Sequence, residues 1–154
     1  MDDNLRKDSA ELLVALRRVR VGYTSFLTKS LAEFGLNIPQ YTALAVLGEK
    51  GEVTMSVLSE GLGITMGAVT NIVDRLIDAG MAVRGRGTDD RRVVRVKLSD
   101  KGRETLEKAV DRGVEFMGRY LQQFPADERK AFVDVYGKLA GAVMADFASG
   151  RGGA

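Results

Sequence analysis

The apolar period of this chain changes at one place, and that change limits the folds open to it. Up to Gly80 the apolar residues recur every three or four positions. Then "MAVRGRG" and "VVRVKLS" alternate by two, and from Ser99 onward the helical period returns. A period near 3.6 puts one stripe of a helix against a core, whereas a period of two puts one face of a strand there. The pattern predicts a mainly helical chain with one small β-hairpin. In the hairpin Val94, Val96 and Leu98 are expected to face inward, with Arg95 and Lys97 outward. Gly87, Thr88, Asp89 and Asp90 supply the turn.

The hairpin is also where the charge collects. Between Arg84 and Arg103 eight basic residues (Arg84, Arg86, Arg91, Arg92, Arg95, Lys97, Lys101, Arg103) stand against three acidic ones (Asp89, Asp90, Asp100). The formal net charge of the whole chain is only +2, so the remainder is mildly acidic. A local basic patch on an acidic body is the footprint of a polyanion-binding surface, although a solvated, arginine-rich hairpin accounts for it equally well at this level.

Absences narrow the chemistry. The 154 residues include no cysteine and no histidine. That excludes disulfides, thiol redox sensing, Cys/His zinc sites and histidine acid–base catalysis. The carboxylates are scattered at helix-surface spacing, without a nucleophile–base pair. No enzyme activity, metal or cofactor is expected. The start "MDDNLRKDS" is polar and acidic, unlike a signal peptide. No apolar run approaches a membrane span. The expectation is a soluble cytoplasmic protein with no membrane partner.

The helical segments have readable ends. From Ser9 to Phe34, Leu12, Leu16, Val19, Tyr23 and Phe26 recur at steps of four, three, four and three, a heptad-like stripe. Ser9 is expected to start this helix and Gly35 to stop it. So long a stripe exceeds what a small chain can bury alone, which points to a second subunit. In "NIPQYTALAVLGEKG", Asn37 and Pro39 mark a helix start, Leu44, Val46 and Leu47 are core candidates, and Gly48 and Gly51 punctuate the end. "VTMSVLSEGLG" reads as a short helix capped by Thr54 and closed by Gly61 and Gly63. "ITMGAVTNIVDRLIDAG" reads as another, capped by Thr65 and ended by Gly80. Ser99 caps a helix with the stripe Leu106, Val110, Met117 and Leu121. "FPADE" interrupts at Pro125. A last helix carries Phe132, Tyr136, Leu139, Val143 and Phe147.

Two short helices joined by a glycine-bearing turn suggest a helix-turn-helix, and Ser59, Gly63 and Val69 have its spacing. A small residue lets the helices approach, glycine supplies the turn's backbone angles, and Val69 fills the wedge. With a basic hairpin directly after it, the unit reads as a winged helix-turn-helix. On the second helix Val69, Ile72, Val73, Leu76 and Ile77 share one arc. The opposite face carries Gly67, Asn71, Asp74, Arg75 and Asp78, with Met66 and Thr70 at its margin. In such proteins this helix enters the DNA major groove. Asn71 suits adenine, Met66 a thymine methyl, and Arg75 guanine or phosphate. Gly67 would let the backbone come close. Thr65, with Thr54 and Ser56 on the first helix, are candidates for the backbone-facing contacts. Asp74 and Asp78 resist this reading unless Asp74 pairs with an arginine and Asp78 lies beyond the groove. The Arg91–Arg92 tip suits a narrow minor groove, with Asp90 fixing the neighbouring rotamer. Arg84, Arg86, Arg95 and Lys97 would lie along phosphates.

These residues carry a resemblance. "LNIPQYTALAVL", "VTMSVLSEGLGITMGAVTNIVDRLIDAGMAVR" and "DDRRVVRVKLSDKGRETL", in this order and spacing, are similar to the multiple-antibiotic-resistance regulator (MarR) family, over roughly Leu12 to Phe147. The Asp-Arg-Arg wing followed by "LSDKG" is the most specific part. The resemblance implies a homodimeric repressor-type regulator. Residues 1–36 and 99–149 would form the helical dimerisation region and 37–98 the DNA-binding region, with 150–154 a disordered tail. It implies double-stranded DNA with a pseudo-palindromic operator as partner. The recognition helix at 65–79 would sit in the major groove and the wing at 84–98 in the minor groove, with Arg92 at its tip supported by Asp90. Relatives often have arginine where Asn71 stands and a charged run where "RGRG" stands, so the resemblance carries over the binding itself but not a preferred base sequence. Many relatives are released by a small aromatic ligand. Tyr23, Phe26, Leu27, Tyr41, Leu44, Leu47 and Phe116 are the candidate lining here, and each suits a core position equally well. The rival reading is a winged-helix sensor or protein-interaction module without specific DNA binding, because a fold alone does not fix a function.

Overall fold

A computed structural model describes residues 1–86 and 94–149. The wing-turn residues Gly87 to Asp90, the Arg91–Arg92 tip and the 150–154 tail lie outside the described residues. The elements run α1 (Asp3–Ala32), α2 (Ile38–Lys50), β1 (Val53–Thr54), α3 (Met55–Leu62), α4 (Met66–Asp78), β2 (Ala82–Arg86), β3 (Val94–Leu98), α5 (Asp100–Leu121) and α6 (Ala126–Ala148). They fall into two compact units, Met1–Gly113 and Val114–Ala154.

In the first unit α1 begins six residues before Ser9. The Asp2 carboxylate accepts from the Leu5 amide at 2.8 Å, and Asp3 adds negative charge at the positive end of the helix dipole. The heptad stripe begins only at Leu12, so apolar spacing does not reveal this polar first turn. Ser9 sits inside the helix and donates to the Leu5 carbonyl. Gly35, at φ +68°, ends the helix as expected, and the Leu36 amide folds back to the Leu31 carbonyl at 3.0 Å. Only the C-terminal end of α1 reaches the core, through Leu31. Leu12 and Val19 remain exposed.

Asn37 starts α2 through a reciprocal box: its side chain accepts from the Gln40 amide, and the Gln40 side chain accepts from the Asn37 amide, both at 2.9 Å. Leu44 and Leu47 are fully buried, and Val46 is half-buried. Gly48 and Gly61 do not end their helices. Both lie inside them, and the turns are made by Gly51 and Gly63, each at positive φ. At Gly48 glycine serves packing instead, since a Cβ there would meet the Leu106 side chain at 2.6 Å.

The sheet, in the order β1-β3-β2, is antiparallel throughout. Two-residue β1 was not legible as a strand. It pairs Val53 with Val96, so the base of the wing is tied to the entry of the helix-turn-helix. Val96 and Leu98 face inward as expected, but Val94 is 41% exposed. It pairs with Arg86 at the far end of the hairpin, where there is no core left to face. The buried cluster joins Leu31, Leu44, Leu47, Leu58, Val69, Val73, Leu76, Val96 and their neighbours, with Ile72 and Ile77 packed half-buried on it.

In the second unit Leu121 ends α5, and Pro125 precedes α6 as the sequence suggests. On α6 Phe132, Tyr136, Leu139 and Val143 stay exposed along one stripe.

Candidate nucleic-acid interface

The helix-turn-helix is built from local chemistry. The Thr54 hydroxyl accepts from the Val57 amide at 3.3 Å, and the Thr65 hydroxyl accepts from the Ala68 amide at 3.4 Å, so each threonine caps its helix. Between the caps Gly63 takes the left-handed conformation at φ +64°. The Ser59 hydroxyl donates to the Ile64 carbonyl at 2.7 Å, which locks the turn across its width. Val69 is completely buried in the wedge. The two helix axes bend by 108°, within the range of a DNA-binding helix pair.

This geometry sorts the residues of α4 by face. Val69, Val73 and Leu76 point into the core, while Met66, Gly67, Asn71, Arg75 and Asp78 are exposed. Thr70 is half-buried and its hydroxyl donates to the Met66 carbonyl at 2.9 Å. Nothing lies within 4 Å of where a Gly67 Cβ would stand, so that part of the helix surface is bare backbone. Beside it an open groove of about 520 Å³ is lined by Ser56, Ser59, Glu60, Gly63, Ile64, Thr65 and Met66. Sequence reasoning missed Ile64 here. It precedes the helix cap and belongs to no periodic stripe, yet it stands exposed beside Met66.

Asp74, the residue that most resisted the DNA reading, has a partner. Its carboxylate accepts from the Arg84 guanidinium at 2.8 Å, across from α4 to β2. Both side chains are about half exposed, so the pair adds at most about 1 kcal/mol to stability. The pairing also occupies an arginine expected to lie along phosphate. Asp74→Asn should therefore leave stability nearly unchanged. It should tighten binding to random duplex DNA and steepen its salt dependence by up to roughly one phosphate contact. Titration at several salt concentrations checks this, and an unchanged slope would mean that Arg84 is not released toward DNA. Among the other wing residues Arg95 is half-buried and Lys97 exposed. The Arg86 backbone belongs to β2. The expectations for Asp90, Arg91 and Arg92 lie outside the described residues.

The segment after the wing is structural in character. The Ser99 hydroxyl accepts from the Gly102 amide at 3.0 Å, the N-cap expected of it. The same hydroxyl donates to the Gly80 carbonyl at 2.7 Å. The Lys101 ammonium donates to the Ala79 carbonyl, also at 2.7 Å. The "LSDKG" segment thus folds back onto the end of α4.

The residues considered for an aromatic ligand differ in burial. Leu44 and Leu47 are closed inside the core. Tyr23, Phe26, Leu27 and Tyr41 are half-buried, with the Tyr23 and Phe26 rings stacked at 6.0 Å. Burial, with the neighbouring Tyr23 phenol adding to it, holds the Tyr41 hydroxyl above the usual tyrosine value. Phe116 belongs to the second unit, where it meets Tyr120 edge-on at 5.1 Å. Among the described residues no group of three or more His, Cys, Asp or Glu is placed to hold a metal ion. No single described helix is long and apolar enough to cross a membrane.

Comparison with known proteins places this architecture. Residues 34–93 match the model of the MarR family. The chain is 30% identical over 118 residues to the HTH-type transcriptional repressor MdtR of Bacillus subtilis, covering 77% of this chain and 76% of that relative. It is also 30% identical over 105 residues to the HTH-type transcriptional regulator YdgJ of the same organism, covering 68% of this chain and 64% of that relative. Among solved structures, a MarR family protein from Bacillus stearothermophilus superposes with a TM-score of 0.84 at 26% identity, covering 94% of this chain and 99% of that one. A helix-turn-helix with a three-stranded wing base, an exposed face on its second helix and relatives of this kind lead to one assignment: the chain belongs to the MarR family of transcription regulators.

Proposed function

We propose that this regulator works as a homodimer that reads a pseudo-palindromic duplex, with the α4 of each protomer in a major groove and each wing in the adjoining minor groove. The observation that carries this reading is the exposed face of α4, where Met66, Gly67, Asn71 and Arg75 stand clear on a helix whose other face is locked into the core. Thr54, Ser56 and Thr65 fit the flanking phosphates, since capped helix N-termini favour anions. Arg86, Arg91 and Arg92, with Asp90, are assigned to the wing contacts on sequence grounds. Dimerisation is supported by the exposed stripes on α1 and α6, which leave Leu12, Val19, Phe132, Tyr136, Leu139 and Val143 open to water in a single chain. The likeness to MdtR favours repression over activation. A small aromatic effector beside Tyr23, Phe26, Leu27 and Tyr41 completes the proposal. It would act by favouring a dimer whose recognition helices no longer match the half-site spacing.

Selection of random duplexes on the purified protein, at two salt concentrations, tests this. The expected winner is a palindrome with half-site centres about 10 base pairs apart and a steep loss of affinity with salt. Weak, sequence-blind binding would instead leave a winged module that serves another partner. With an operator in hand, an affinity unmoved by a panel of phenolic and aromatic acids would remove the effector from the proposal.

A further inference from the structure

Lys101 belongs by sequence to the basic patch and is exposed, but its ammonium has a backbone partner. It donates to the carbonyl of Ala79, the C-cap residue of α4, at 2.7 Å. Helix C-terminal carbonyls lack intrahelical partners and carry the negative end of the dipole, so a cation there is doubly favoured. Three further links lie within a few residues. The Ser99 hydroxyl donates to the Gly80 carbonyl, and the Ser99 amide donates to the Met81 carbonyl at 3.1 Å. At Gly102 the backbones come so close that an added Cβ would lie 1.9 Å from the Met81 carbonyl oxygen. The C-cap of α4 and the turn that follows it are thus pinned to the start of α5. The middle of α4 is held separately by the Asp74–Arg84 pair to β2.

We propose that Lys101 is a positioning residue for DNA recognition: it fixes the pose of α4 by clamping its C-terminal carbonyl to α5, and it does not contact phosphate. The inference rests on α4 being the helix that reads DNA, as proposed above. Base-edge contacts demand a helix held in one orientation, whereas phosphate contacts tolerate small rotations. Loosening the clamp therefore lowers specific binding and leaves sequence-blind binding alone. It also provides a route by which any reorientation of α5 reaches the recognition helix.

The test compares wild type with Lys101→Met, which keeps the apolar stem and removes the donors, and with Lys101→Arg, which restores a cation. Operator and random-duplex affinities are measured over a range of salt, alongside amide exchange of free protein at Ala79, Gly80 and Met81. The expected result for Lys101→Met is a loss of roughly three- to tenfold in operator affinity, the scale of one solvent-accessible charge-assisted hydrogen bond. Random-duplex affinity and salt slope should stay unchanged, exchange at those three amides should be faster, and Lys101→Arg should recover most of the loss. An equal loss on both duplexes with a shallower slope would make Lys101 a phosphate contact and overturn the proposal. So would a fall in thermal stability with no change in discrimination, or no change at all. If wild type itself shows no preferred duplex, the reading of α4 fails, and the exchange measurement still decides whether the clamp exists.

Discussion

Gly102→Ala is expected to cost about 3 kcal/mol of folding stability, seen as a fall of roughly 6–12 °C in the unfolding midpoint. The added methyl would stand 1.9 Å from the Met81 carbonyl oxygen and 2.8 Å from its carbonyl carbon. Those are backbone atoms, so relief cannot come from a rotamer change. Either α5 must lift from the start of β2, or the turn at Gly80 must open. Both routes break the Ser99 and Lys101 bonds to the end of α4. Gly67→Ala is the natural contrast. Its added methyl meets nothing within 4 Å, and replacing a helical glycine with alanine gains up to about 1 kcal/mol. Thermal unfolding of the two variants side by side decides the matter. If Gly102→Ala melts with wild type, the close approach of α5 to β2 is wrong.

Asn71→Ala is expected to lower operator affinity by about 1–3 kcal/mol, roughly 5- to 150-fold, and to relax the base preference at one position of each half-site. Asn71 is exposed in the middle of α4, so its loss should leave folding stability within about 0.5 kcal/mol of wild type. An amide side chain pairs with adenine through one donor and one acceptor, and alanine supplies neither. Quantitative binding to the selected duplex and to single-base variants of it reads the effect. Equal weakening on every duplex would assign Asn71 to the backbone instead, and no weakening would turn attention to Met66 and Arg75.

What could be read from the sequence was local. The caps Asn37, Thr54, Thr65 and Ser99 each act on an amide three residues on, so their signal lies within one turn of chain. The buried arc of α4 follows from helical period alone. What was hidden depends on partners far along the chain. Ser99 reaches back 19 residues and Lys101 22, and nothing in "LSDKG" itself says that its charge is spent on a helix end. The strand β1 is two residues long, too short for any period to show, and it exists because β3 offers it an edge. Val94 was misplaced because alternation tells which face a residue takes, not where the core stops. The start of α1 was missed for the converse reason: its cap and first turn are polar, and only the later residues carry a stripe.

The order of the sheet has one more consequence. With β3 in the middle, the outer edge of β2 is open among the described residues, and Val83 on that strand is 40% exposed. An open strand edge is a template on which another chain can add a strand and begin to aggregate. Arg84 stands on that strand, and charged side chains are what keep such edges from pairing with one another. Arg84 is therefore expected to protect solubility as well as to serve the DNA contact proposed for it. A variant stripped of that charge would tend to self-associate, and its apparent loss of DNA binding would have to be separated from the simple disappearance of monodisperse protein.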